Sequence, residues 1–209
     1  TRFTPRTMYT ITGPKSAFVF ITVNVKVVEA TSRVAVIETK DGGLTFDFVS
    51  WVTPAEQDYG AIMPQAIRLK NGDYLLAYRR LNKRGTQPSG TVETYISKDN
   101  CRSWNYLSEV VTFSKSSNPP SIMELDYGRI CCVYGNRVNY TIAGKYSEDG
   151  GKTWGEEFTI RENYQGLDND ADLGYPRMLK RPDGKLAVMY YWGSPEHPEN
   201  HIACSIWKQ

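Results

Sequence analysis

Histidine and cysteine are scarce in this chain: among 209 residues there are two histidines, His197 and His201, and four cysteines, at 101, 131, 132 and 204. No CxxC pair occurs, which argues against a His/Cys zinc centre, and four cysteines are too few to staple a chain of this length. Cys131 and Cys132 are neighbours in an expected strand and so point to opposite faces. Long hydrophobic runs are also missing. The most apolar stretch, 17–30, is interrupted by Thr22, Asn24, Lys26 and Glu29, so no helix is expected to span a bilayer. Neither sign of charge dominates: 25 Lys and Arg stand against 23 Asp and Glu, a net +2, which gives no general pull toward nucleic acid or an anionic membrane. No signal-peptide pattern opens the chain at Thr1, and the one sequon, Asn139-Tyr140-Thr141, is no more than chance supplies.

What the chain does have is Tyr, Trp, Gly and Pro, with 14, 5, 17 and 11 copies, a mixture that suits a turn-rich β protein. An internal repeat organises them. The segments that begin at Met63, Pro119 and Tyr175 align, with prolines at 64, 120 and 176, turn glycines at 72, 128 and 184, and tyrosines at 78, 134 and 190. Each series steps by 56 residues. In every copy two β-rich runs flank an Asn-Gly, Tyr-Gly or Asp-Gly turn, the pattern of a hairpin. A third strand is expected over Thr91–Ser97, Thr141–Ser147 and His201–Trp207.

A second element recurs after the third strand. It reads Ser147-Glu-Asp149-Gly-Gly-Lys-Thr-Trp154, Ser97-Lys-Asp99-Asn-Cys-Arg-Ser-Trp104 and Thr39-Lys-Asp41-Gly-Gly-Leu-Thr-Phe46. An Asp that accepts bonds from its own loop, glycines that permit positive φ, and a Ser or Thr that adds a local bond make a tight turn between strands. The closing Trp or Phe is expected to fill the space beneath it. Asp41, Asp99, Asp149, Trp104 and Trp154 are therefore assigned to structure and not to catalysis.

Four-stranded units in tandem are the blades of a β-propeller. The loops are Asp boxes, and the chain resembles the sialidase (neuraminidase) superfamily of Asp-box propellers. Its units are expected over 1–51 (a partial blade), 52–112, 113–160 and 161–209 (a blade without its last strand). Six units of this period exceed the 209 residues present. The resemblance thus implies an all-β chain forming the C-terminal portion of a six-bladed propeller, with a compact four-bladed ring, or assembly with another chain through its incomplete edges, as alternatives. It also implies a secreted or periplasmic setting, a glycan partner and no cofactor.

Three residues match sialidase motifs at one face of such a propeller. Tyr175, eight residues before Asp183, resembles the family's nucleophilic tyrosine. Arg79, eight after Asn71, and Arg137, which opens the stretch before the fullest Asp box, resemble its second and third arginines. Guanidinium groups bind a sugar carboxylate with paired bonds, and a carboxylate nucleophile would repel that anion, so sialidases use tyrosine. A phenol needs a base beside it. The family's Glu is replaced here by Met63, leaving Glu56, Asp58 and Asp172 (with Asp168 and Asp170) as substitutes. The first arginine and the acid/base aspartate belong to earlier blades. Trp192 and Tyr191 are placed to stack on a sugar, and the acidic run 168–172 fits no EF-hand spacing, so no metal is expected. The resemblance implies a sialidase-like exo-glycosidase releasing a terminal, acidic sugar. The alternative is a non-catalytic propeller that binds glycan or protein through the same face.

Overall fold

The structure is a computed structural model that describes residues 2–26, 31–82, 85, 89–115, 118–166 and 172–208. Among them every regular element is a β-strand except one 3-10 turn at Asp126–Gly128. Sheet one holds β1 (Arg2–Gly13), β2 (Ser16–Lys26), β3 (Thr31–Thr39) and β4 (Asp47–Trp51), each antiparallel to the next. Sheet two is the same meander in β5 (Gly60–Arg68), β6 (Tyr74–Leu81), β7 (Gly90–Ser97) and β8 (Asn105–Phe113), joined to sheet one by a single parallel bridge between Ser32 of β3 and Gly60 of β5. Sheet three follows with β9 (Ser121–Glu124), β10 (Ile130–Asn136), β11 (Thr141–Ser147) and β12 (Phe158–Arg161). Sheet four has three strands, β13 (Gly174–Lys180), β14 (Leu186–Trp192) and β15 (His201–Trp207). Residues 1–51, expected as a partial unit, thus carry four antiparallel strands. Their β1–β2 turn uses Pro14 and Lys15 without the proline and glycine landmarks of the other units.

The turn glycines explain the hairpins. Gly72, Gly128 and Gly184 have φ of 95°, 76° and 80°, where a side chain would be strained. Strand alternation then builds the core. Tyr74, Leu76 and Tyr78 cluster with Phe18, Phe20, Val34 and Val36 of sheet one, while Leu75 and Ala77 face the other way onto Ile122, Ile130 and Cys132 of sheet three. Cys131 and Val133 in turn meet Leu186, Val188 and Tyr190 of sheet four. Cys131 and Cys132 therefore serve opposite seams, as period two requires. The repeat tyrosines are buried with their hydroxyls satisfied: Tyr78 donates to Glu93, Tyr134 donates to Glu157 at 2.8 Å, and Tyr190 pairs with Ser205 at 2.6 Å.

The first strands of sheets two, three and four are each stitched to the sheet before. The Met63 amide donates to Thr22 Oγ1 (3.2 Å), the Ile122 amide to Gln65 Oε1 (3.0 Å) and the Met178 amide to Ser121 Oγ (3.1 Å). At the other end, the three aspartate loops share one geometry. In each, one Asp oxygen accepts two backbone amides of the loop and the other accepts a hydroxyl at 2.6 Å from Thr45, Ser103 or Thr153. These bonds, led by the hydroxyl, hold all three carboxyls down at about 2. The closing tryptophans reach further than the sequence suggests. Trp104 Nε1 donates to Ser50 of the preceding sheet (3.3 Å), and its ring meets Phe20 edge-on. Trp154 Nε1 donates to Ser108 of its preceding sheet (3.0 Å). They clamp neighbouring sheets together instead of filling only their own loops.

Candidate functional site

In sheets two and four the residue before the strand-one proline sits in a bulge. Met63 and Tyr175 have φ of 55° and 53°, and the ladder slips between Ile62 and Gln65 and between Gly174 and Arg177. A left-handed non-glycine residue is held there by its surroundings and has its side chain re-aimed. Each meets the end of strand two. Arg79 Nη1 lies 4.0 Å from Met63 Sδ, and Tyr175 stacks on Tyr191 with centroids 5.4 Å apart and planes at 27°. In sheet three the strand-two position is Gly135, and Asn118 takes up the room. A Cβ on Gly135 would fall 2.5 Å from Asn118 Nδ2, and one on Gly174 would fall 2.6 Å away. Buried Asn118 donates through that nitrogen to the Leu173 carbonyl, tying sheet three to the start of β13.

Around Tyr191 the polar groups converge. Asp172 Oδ1 accepts the Tyr191 hydroxyl at 2.6 Å and Arg137 Nη2 at 3.1 Å; Arg137 Nη2 also lies 3.5 Å from the Tyr191 oxygen. Asp172 Oδ2 accepts Asn200 Nδ2 at 3.3 Å, and the Asp172 carbonyl accepts the Tyr164 hydroxyl at 3.1 Å. Arg137 is mostly buried while Asp172 is half-exposed, so the pair lies at the border of water and protein. Burial, with the neighbouring Asp172, pushes the Tyr191 phenol above its ordinary value. The phenol is neutral near pH 7 and its proton already points at a carboxylate. The Nε of Arg137 and the Oδ1 of Asn118 are buried with no hydrogen-bond partner among the described residues.

The structure therefore brings Tyr175, Arg137 and Asp172 together, and it does so through Tyr191. The carboxylate contacts Tyr191 and not the tyrosine singled out by motif. Arg79 is buried beneath Met63. Glu56 and Asp58 are exposed on the loop between β4 and β5; Asp168 and Asp170 lie outside the described residues. Trp192 corrects an expectation. It is fully buried, edge-on to Tyr164 and Tyr190 with Arg161 over its ring, and cannot stack on a ligand. Parity along β14 carried that signal: Trp192 shares a face with buried Tyr190, whereas Tyr191 points the other way. Asn118 and Asn200 had no sequence signal, because the contacts that matter run between sheets or loops. Among the described residues no group of three or more His, Cys, Asp or Glu side chains is placed to hold a metal ion, and no helix is long and apolar enough to cross a membrane.

Comparison with known proteins agrees with this architecture. The family described as a BNR repeat-like domain matches residues 28–188. A comparison with curated proteins finds no match. Among solved structures, the chain is similar to an α-L-arabinanase from Penicillium chrysogenum complexed with arabinobiose (18% identity, TM-score 0.78, covering 98% of this chain and 64% of that one). It is also similar to an α-L-arabinofuranosidase from Fusarium graminearum (16%, 0.77, 97% and 62%) and to a protein of unknown function from Dyadobacter fermentans (18%, 0.75, 95% and 51%). At such identities the likeness is one of fold, and the chain spans between half and two thirds of the length of these structures.

Proposed function

Because the chain belongs to the BNR repeat-like domain family, we propose that it is a glycoside hydrolase, or the part of one that carries the site around Asp172, acting on a terminal acidic sugar of a glycan. The similar arabinanase and arabinofuranosidase structures support the class of reaction. The observation that carries the reading is the 2.6 Å bond from the Tyr191 hydroxyl to Asp172, beside Arg137 and under the stacked ring of Tyr175. A phenol that hands its proton to an adjacent carboxylate becomes nucleophilic without adding negative charge where an anionic sugar must approach. Arg137 is the cation suited to such a sugar's carboxylate. On this reading Asp172 is the base. The nucleophile is whichever tyrosine of the stacked pair it serves, Tyr191 by contact and Tyr175 by resemblance to the sialidases.

One observation favours a binding role instead: Met63 stands where sialidases have their Glu, with Arg79 buried behind it. A panel of fluorogenic sialosides, uronides and arabinofuranosides separates the readings. Release of an acidic sugar that is lost in both Tyr191→Phe and Arg137→Ala is the expected result. Release confined to arabinofuranosides would sink the acidic-sugar specificity but keep the hydrolase. Glycan binding without release from any substrate, unchanged in Tyr191→Phe, would sink catalysis.

A further inference from the structure

Tyr140 closes the turn between β10 and β11. Asn136 pairs with Thr141 across the ladder, so residues 137–140 make the connection, and Arg137 opens it. Asn136 Oδ1 accepts the amides of Val138 (3.0 Å) and Asn139 (3.1 Å), while its Nδ2 donates to Glu157 (3.1 Å), which pins the turn from within. Tyr140 ends it at a φ of 59°. That left-handed position suits Gly or Asn and strains a bulky side chain. The ring so placed is not core: Tyr140 is 37% exposed. It lies nearly parallel to Tyr164, with planes at 16° and centroids 6.4 Å apart. Tyr164 is buried, meets Trp192 edge-on and donates its hydroxyl to the Asp172 carbonyl. A row of rings thus runs from the core to the surface, and its middle member holds the residue read as the base. The ammonium of exposed Lys115 stands 5.5 Å from the Tyr140 centroid, within cation–π reach.

We infer, on the reading of Asp172, Tyr191 and Arg137 as the hydrolytic site, that Tyr140 is the platform for the second sugar of the glycan, a neutral pyranose from which the terminal acidic sugar is released. The terminal sugar is held at Arg137; the unit behind it lies over Tyr140, at the other end of the same turn. A pyranose has a flat C–H face that covers an aromatic ring while its hydroxyls stay at the edge in water. The ring face carries the negative part of its quadrupole, so an anionic unit is disfavoured there. Lys115, on a flexible stem, leaves the ring face and donates to the hydroxyls of the sugar that replaces it.

The test compares two substrates that share one terminal sugar, the one released from the panel: its methyl glycoside and its disaccharide with galactose. Aryl glycosides are avoided because the aryl group would itself stack on Tyr140. Tyr140→Asn removes the ring with a residue that the turn accepts, and Tyr140→Phe keeps the ring. Tyr140→Asn is expected to lower kcat/KM on the disaccharide by about three- to tenfold, the scale of one ring contact, and to leave the methyl glycoside within about twofold. Tyr140→Phe should match the parent on both. Turnover of the methyl glycoside reports on folding and on the site around Asp172, so a merely structural Tyr140 would lower both substrates equally. Equal loss on the two, or no loss on the disaccharide, would overturn the inference. If the parent hydrolyses neither, the hydrolase reading fails by itself, and calorimetry with sialyl-galactose and glucuronyl-galactose decides the platform. Binding weakened in Tyr140→Asn and kept in Tyr140→Phe would uphold it; binding unchanged in Tyr140→Asn, or absent from the parent, would overturn it.

Discussion

Met63 with Arg79 and Tyr175 with Tyr191 occupy the same two positions of the repeat, two periods apart, in the same left-handed bulge ahead of the same proline. In sheet two the pair is a thioether over a buried guanidinium. In sheet four it is two stacked phenols, one of them bonded to a carboxylate that a loop supplies. The backbone device is common to both; the chemistry belongs to the side chains and to what the loop before β13 brings in. The repeat supplies a socket, and a site arises only where the socket is filled with reactive groups.

The sharpest way to break this comparison is Asp172→Asn. If sheet four carries the chemistry, hydrolysis should fall by about a hundredfold or more, the usual scale for loss of a positioned base, with unfolding by urea little changed. A loss of stability without a loss of turnover would make the cluster structural. Next is Arg79→Ala. Truncating a buried, packed side chain should cost about 2 kcal/mol, read as a lower urea midpoint, while turnover per folded molecule stays near that of the parent. Lost turnover at full stability would return Arg79 to the site and erase the contrast.

Acid should separate the sheets more gently. Asp41, Asp99 and Asp149 are held at about 2 by their loops, below the ordinary carboxylate near 3.9. Their contribution is complete above that ordinary value and is lost as pH falls through about 2. Hydrogen exchange between these limits should rise first at the 39–46, 97–104 and 147–154 loops and least in sheet four, whose described residues hold no such loop. Uniform loosening of all four sheets would contradict that assignment. The smallest effect is expected from Met63→Gly. Relief of a left-handed φ, about 1 kcal/mol, should offset much of the lost packing, leaving stability within about 1 kcal/mol. Tyr175→Gly gains the same backbone relief, but is expected to lose turnover as well. Equal behaviour of the two would mean that the bulge, and not its occupant, matters.

Much of this architecture is legible in the residues because turn chemistry and period two are local. Asn71-Gly72, the aspartate loops and the spacing of Tyr78, Tyr134 and Tyr190 each declare a strand end or a buried face without knowledge of neighbours. The first sheet is less legible, since its β1–β2 connection has neither the proline landmark of the repeat nor the Asn-Gly type of turn, and nothing marks residues 2–26 as two strands of a full unit. The site was legible only in part. Tyr175 and Arg137 can be found by motif, and Asp172 stands among the nearby acids. That Asp172 serves Tyr191 depends on where Asp172 and Leu173 lie ahead of β13 and on Asn118 fastening Leu173, contacts that join residues 19 and 55 apart in sequence. Trp192 and Tyr191 are alike in composition, and only the face of β14 on which each falls tells a core aromatic from a ligand-facing one.

The Trp104 and Trp154 clamps have a consequence for how such chains gain or lose units. Each indole bonds a serine in the fourth strand of the sheet before it, so each of these two units arrives with its own latch and needs from its predecessor only a serine in that strand. Because each joint is made from one repeat and its immediate neighbour, nothing in a joint counts the units. Duplication or deletion of a whole repeat leaves every remaining joint intact, and length in such a lineage is free to drift until curvature or a partner fixes it.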